Sequence, residues 1–160
     1  MYNSEAAITA LKNLLSANIG AQLAAIAAAA GDGIALPAPD IYGYPKKADA
    51  SGHAPDLRVY AKGCKSTLKM GDYQPGAKDY NHDVLVQIML NDKDENTSSL
   101  MIMRYAQAAA RVIYNDAISG APTLGMKTEI TDVIYGKPEH TDQGWEQEAH
   151  VEATITRREG

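Results

Sequence analysis

The sequence predicts an α+β domain: an antiparallel sheet of about four strands, with a long N-terminal helix and a second long helix packed on one face. Two observations lead there. Apolar side chains recur at helical spacing in two long stretches, one at the N-terminus and one past the middle. Four other runs alternate polar and apolar residues, two of them before the second helical stretch and two after it.

The N-terminal helix has the clearest pattern. Ile8, Leu11, Leu15, Ile19, Leu23, Ile26 and Ala30 follow one another at three- and four-residue steps, which lays them along one face. Asn3 or Ser4 can cap its start, Glu5 suits the first turn, and Gly31 is placed to end it. Gly20 costs a helix interior about 1 kcal/mol relative to alanine, which leaves room for a bend or break near it. The many alanines let a neighbour approach closely.

From Gly31 the composition turns to glycine, proline and short polar residues. IALPAPDIYGYP reads as extended chain with room for one short strand, because a residue preceding proline is pushed out of the helical region. KKADASGHAP reads as a mobile loop over residues 45–55. LRVYAKG, from Leu57, alternates as a strand. A second mobile loop is expected at 63–81, far longer than a hairpin needs, and such loops commonly reach for a partner.

Val84–Leu90 is the next strand, and a helix is expected from Thr97 to Ala117, capped by Asn96, Thr97 or Ser98. Arg104, Gln107, Arg111 and Asn115 form one narrow polar stripe on it; nearly everything else is apolar, including Leu100, Met103, Ala106, Val112 and Ile113. A single sheet covers one face only. The first helix or another subunit must cover the rest. KTEITDVIYG and EAHVEATITRR complete the sheet. In the last strand Glu146, Glu148, His150, Glu152, Thr154 and Thr156 point one way, and Val151, Ala153 and Ile155 the other.

The totals fit one domain over residues 1–160, long enough to bury a core. With no phenylalanine, nine tyrosines and one tryptophan supply the aromatic surface, much of it expected at rims and interfaces. A net charge of −5 argues against gripping nucleic acid through its phosphates. The single cysteine, Cys64, excludes an intrachain disulfide and a multi-cysteine zinc site. The start lacks the features of a secretory leader, and ANIGAQLAAIAAAA reads as too short and too weakly apolar to span a membrane. The expectation is a chain made and kept in a cytoplasm.

Several motifs come close to chemistry and fall short. Asp92, Asp94 and Asn96 alternate as the first ligands of an EF-hand do. The glycine required at the sixth position is Thr97, the glutamate required at the twelfth is Met103, and the segment reads as a capped strand-to-helix turn. GAPTLGMKT, from Gly120, places Met126 where a P-loop needs its lysine. The histidines, at 53, 82, 140 and 150, form no metal-binding pair. Lys62 and Lys65 flank Cys64 and would lower its pKa if they lie near the thiol. There is no GxSxG elbow. No catalytic, metal or cofactor residues are assigned, and an enzyme is not expected.

The arrangement as a whole resembles one family. A helix, YNSEAAITALKNLLSANIGAQLAAI, leads into LPAPDIYGY; the strand HDVLVQIMLNDKDE passes directly to the helix LMIMRYAQAAARVIYND; the strand HVEATITRRE ends the chain. In element order, length and pattern this resembles the tail terminator (tail completion) proteins of long-tailed bacteriophages and related contractile particles. The resemblance implies a virion structural protein that forms a ring, a homo-hexamer, on the head-proximal end of the tail tube. There it would stop tube polymerisation and dock the tail to the neck. The implied partners are further copies of the chain, the tail tube protein, the neck connector or stopper, and possible sheath contacts. DNA would pass through the lumen without specific binding, and no membrane is involved.

On that reading the subunit-interface candidates are Arg104, Gln107, Arg111, Glu148, His150 and Glu152. The candidates for tube or connector contact are the loop residues Lys46, Lys47, His53, Lys65, Lys69 and Tyr73. The alternatives are another neck or tail component, namely a stopper, connector or tube subunit, and a small cytoplasmic α+β enzyme or ligand-binding domain.

Overall fold

The computed structural model describes residues 3–43, 55–66 and 78–159. The element order is α1 (Ser4–Ala30), β1 (Asp40–Gly43), β2 (Asp56–Ser66), β3 (Lys78–Asp92), α2 (Glu95–Ala117), β4 (Lys127–Tyr135), β5 (Glu139–Thr141) and β6 (Gly144–Glu159). The class is α+β. The sheet has six strands rather than four and is mixed rather than antiparallel, in the order β1-β2-β3-β6-β4 with β5 on the end of β6.

Both additions are short. β1 pairs parallel with β2, Asp40 beside Asp56 and Gly43 beside Val59. Parallel neighbours need a connection of roughly a dozen residues or more, and residues 44–55 supply that length. β5 folds against the start of β6 around Asp142-Gln143, with Thr141 opposite Gly144. Gly144 has φ +118°, and a Cβ there would sit 2.6 Å from the Asp92 carbonyl oxygen, so only glycine fits this corner.

The centre of the sheet is the β3–β6 pair, in unbroken antiparallel register from Lys78 opposite Glu159 to Asp92 opposite Trp145. β3 and β4 flank β6 and are both antiparallel to it, so they run the same way, and α2 crosses the sheet to join them. The strand period of two sets each face. Val84, Val86, Ile88 and Leu90 of β3 and Ala149, Val151, Ala153 and Ile155 of β6 are buried on the inner face. The intervening residues of both strands are only partly covered.

The helices divide the inner face between them. α1 packs on β1, β2 and β3, α2 packs on β3, β6 and β4, and the two helices touch along their length. Ala106, Ala108 and Ala109 of α2 and Ala149 and Ala153 of β6 are buried, and their small side chains permit close helix–sheet approach.

α1 is continuous through Gly20, which lies on its exposed face. Asn3 caps it, accepting a bond from the Ala6 N–H, and Gly31 ends it in the left-handed conformation at φ 61°. As a single 27-residue helix, α1 is long and apolar enough to cross a membrane by length and composition. Its large side chains, Ile8 to Ile26, are nevertheless buried in the domain core.

α2 begins two residues earlier than expected. Its cap is Asp94, whose carboxylate accepts the Thr97 backbone N–H and the Thr97 hydroxyl, both at 2.9 Å. Asp92 takes the Asp94 N–H at 3.0 Å. The alternating acids of this turn therefore serve the backbone, which is what a strand passing straight into a helix requires. The expected loop at 63–81 is also shorter than predicted. Gly63–Ser66 extend β2, and Lys78–Asn81 open β3 beyond a bulge between Ala61 and Gly63. Residues 67–77 lie outside the described residues, as do 45–54 of the other expected loop.

Candidate assembly surfaces

One long strip of α2 is left uncovered by sheet and helix. Leu100, Met103, Gln107, Arg111, Tyr114 and Ile118 recur at three- and four-residue steps on the exposed side, forming a ridge. The apolar members are well exposed, Tyr114 at 56% and Ile118 at 64%. The sequence-predicted polar stripe is thus a mixed one. Arg104 leaves it, turning toward the end of α1, where its guanidinium grips both carboxylate oxygens of Asp32. That pair holds the Asp32 carboxyl below the usual carboxylate range, chiefly through the Arg104 hydrogen bonds.

Past Ile118, Met126, the residue before β4, is again exposed and apolar. Asp116 builds this loop by accepting bonds from Thr123 and Leu124. The segment that resembled a P-loop is therefore organised by a buried carboxylate. Beside it a groove of about 450 Å³ runs between Ile113, Tyr114 and Ala117 of α2 and residues Thr128–Thr131 of β4. On its other side β4 has no strand partner among the described residues.

The outer face of the sheet carries the second surface. Glu146, Glu148, His150 and Glu152 stand in a row on β6, as the strand pattern predicts, with Ile134 and Asp132 on neighbouring β4. His150 contacts the Glu148 carboxylate, and Glu152 pairs with Lys62 at 2.9 Å. Toward the end of the row a depression of about 250 Å³ opens beside Ile134, Lys137, Glu139, Glu146, Glu148 and His150. Thr154 to Asp83 at 2.7 Å and Thr156 to Asn81 at 2.8 Å tie β6 to β3 on this face.

The structure brings Glu148, His150 and Glu152 together on one face and places Gln107 and Arg111 on another. Lys65 is exposed near the end of β2. Lys46, Lys47, His53, Lys69 and Tyr73 lie outside the described residues.

A buried polar cluster escaped the sequence pattern. His82 is fully buried on the inner side of β3. Its Nδ1 lies 3.2 Å from the Ser4 hydroxyl, its Nε2 lies 2.8 Å from Glu159, and Cys64 Sγ is 4.0 Å from the same nitrogen. Glu159 also accepts the Asn3 N–H at 3.0 Å, so this group pins the start of α1 to the end of the sheet. The lysines flanking Cys64 do not lower its pKa. Burial pushes the thiol up, and the Glu159 charge adds to the effect. Cys64 is a thiol at neutral pH, and the cluster is a structural clasp.

Taken together, the elements form a two-layer α+β fold with an exposed helical ridge on one side and an open, acidic sheet face on the other. No protein-family model and no curated protein matches the chain. Among solved structures it is similar to a chain of the virion of a native gene transfer agent particle, with 12% identity and a TM-score of 0.41 over 91% of this chain and 95% of that one.

Proposed function

We propose that this protein is a virion structural subunit that closes into a ring, a hexamer, at the head-proximal end of a phage-type tail tube. In that place it ends tube polymerisation and presents a docking surface to the neck connector or stopper. The reading takes the chain as a non-enzymatic component that needs no cofactor. Its partners are its own copies and the tube, with DNA passing through the lumen.

The observation that carries the reading is the ridge from Leu100 to Ile118. α2 already has the sheet beneath it and α1 beside it, yet large apolar side chains still face outward along several turns. Exposed apolar pairs at each end, Leu100 with Met103 and Tyr114 with Ile118, bracket the polar Gln107 and Arg111, and apolar side chains set around central polar groups suit an interaction surface. The open sheet face lies on the opposite side, so the subunit offers two unlike patches, as head-to-tail closure requires. The acidic balance of the chain, −5, suits a ring through which DNA slides without sticking.

The test is electron microscopy of the purified chain in negative stain, alone and with preformed tail tubes. Rings, or tubes capped at one end and no longer growing, are the expected result. A chain that stays monomeric and leaves tubes to elongate overturns the reading. Tubes that lengthen by incorporating it assign it to the tube instead, and binding to the portal side alone assigns it to the connector.

A further inference from the structure

We propose that Arg111, on the ridge of one copy, seats in the acidic depression on the outer sheet face of the next copy, against Glu146 and Glu148. This rests on the ring reading and names the contact that would close it. Arg111 stands apart from the other arginines. Arg58 pairs with Asp56, Arg104 with Asp32 and Arg158 with Asp79, while Arg157 donates to the Leu124 carbonyl. Arg111, exposed at the middle of the ridge, has no such partner among the described residues and is the ridge's single charge. A guanidinium flanked by Gln107 and Tyr114 is a side chain suited to anchoring an interface, because it combines a rigid donor fork with a flat stacking surface.

The depression has the complementary character. Glu139, Glu146 and Glu148 line it against Lys137 alone, with His150 already held by Glu148. Ile134, exposed at its edge, offers apolar surface to the ridge residues beside Arg111. The cavity, about 250 Å³, suits one long side chain rather than a helix or a strand. Ridge and depression lie on opposite sides of the sheet, so one chain cannot bring its own Arg111 to its own Glu148. The match is available only between copies, through a heterologous contact that propagates around a ring.

Charge exchange in the full-length chain tests this, with ring formation read by sedimentation velocity and negative stain, with and without tail tube. Each variant is first shown to melt as the unmodified chain does. Arg111→Glu and the double variant Glu146→Lys/Glu148→Lys are each expected to raise the concentration needed for rings at least tenfold. Arg111→Gln should have a smaller effect in the same direction. Combining Arg111→Glu with the two lysines is expected to recover rings. Rings that persist in both single-sided variants, or loss that the combination does not repair, overturn this contact and leave the ring reading standing. Variants that form rings normally but no longer cap tubes also overturn it, and assign the two faces to the tube protein. An unmodified chain that forms no ring with or without tube overturns both.

Discussion

Asp116 receives the backbone N–H of Thr123 at 2.9 Å and the hydroxyl of the same residue at 2.8 Å. The Leu124 N–H reaches the second carboxylate oxygen at 3.1 Å, and Leu124 itself is fully buried. One buried acid at the end of α2 thereby shapes the turn that leads into β4. Removing it leaves the buried Leu124 N–H and the Thr123 N–H without this acceptor. Asp116→Ala is expected to destabilise the fold by about 2 kcal/mol, and Asp116→Asn by less, in chemical denaturation. Amide exchange should quicken from Ser119 to Met126 in the alanine variant while the β3–β6 pair stays protected.

The clasp at the other end of the sheet makes a prediction about reactivity. Burial raises the Cys64 pKa, with the Glu159 charge second. Thiolate absorbance and alkylation rate should therefore both rise with a midpoint above that of an unburied cysteine thiol. Glu159→Gln is expected to bring the midpoint down without removing the burial effect. The sign for stability follows from the direction of the shift. The folded chain favours the neutral thiol, so this contribution is complete below the unfolded pKa and fades as pH rises through the folded one.

How far the sequence could be read depended on the length of each pattern. α1 and β6 repeat their period many times, and the inward residues read for them, Ile8 to Ile26 and Val151, Ala153 and Ile155, are buried, whereas Leu100 and Met103 of the over-apolar α2 stay exposed. β5, three residues long, offers no period to detect, and the start of β6 hides in the same turn-rich stretch. The parallel pairing of β1 depends on which edge the chain returns to, and that is a matter of topology rather than of local pattern. Asp94 took the cap from Asn96, Thr97 and Ser98 because the strand runs on to Asp92 and leaves no further residue for a turn. Arg104 looked like a member of the polar stripe, and only the tertiary placement of Asp32 shows why it leaves. The His82 clasp joins residues from four separate segments, so no spacing could announce it.

Acid should weaken the fold through carboxylates that are held ionised. Asp32 is held below the usual carboxylate range by its Arg104 hydrogen bonds, Asp79 by those from Arg158, and Asp94 by the Thr97 backbone N–H. A depressed folded pKa contributes stability above the unfolded value, near 4, and that contribution is lost as pH falls through the folded value. The melting temperature is therefore expected to be level from neutrality to about pH 5 and to fall below it. Asp94→Ala should lower the plateau and flatten the acid limb. High salt should blunt the Asp32 and Asp79 contributions, whose partners are charged arginines, more than that of Asp94, whose partner Thr97 is neutral.

The middle of α1 gives the clearest paired prediction, because one of two adjacent residues is buried and the other exposed. Ile19 is buried among the core residues, whereas a Cβ added at Gly20 would meet nothing within 4 Å. Gly20→Ala keeps the helical backbone, removes freedom from the unfolded chain and is expected to stabilise by about 0.5–1 kcal/mol. Ile19→Ala opens a cavity between α1 and its neighbours and should cost about 2–4 kcal/mol. Urea denaturation at equal slope separates the two, and a Gly20→Ala variant less stable than the parent would show that α1 is bent at that point. The same variant also probes assembly. If the uncharged face around Gly20 stays open to solvent in the ring, Gly20→Ala raises stability and leaves ring formation unchanged; if another copy packs closely there, the added methyl weakens the ring while the isolated chain still gains.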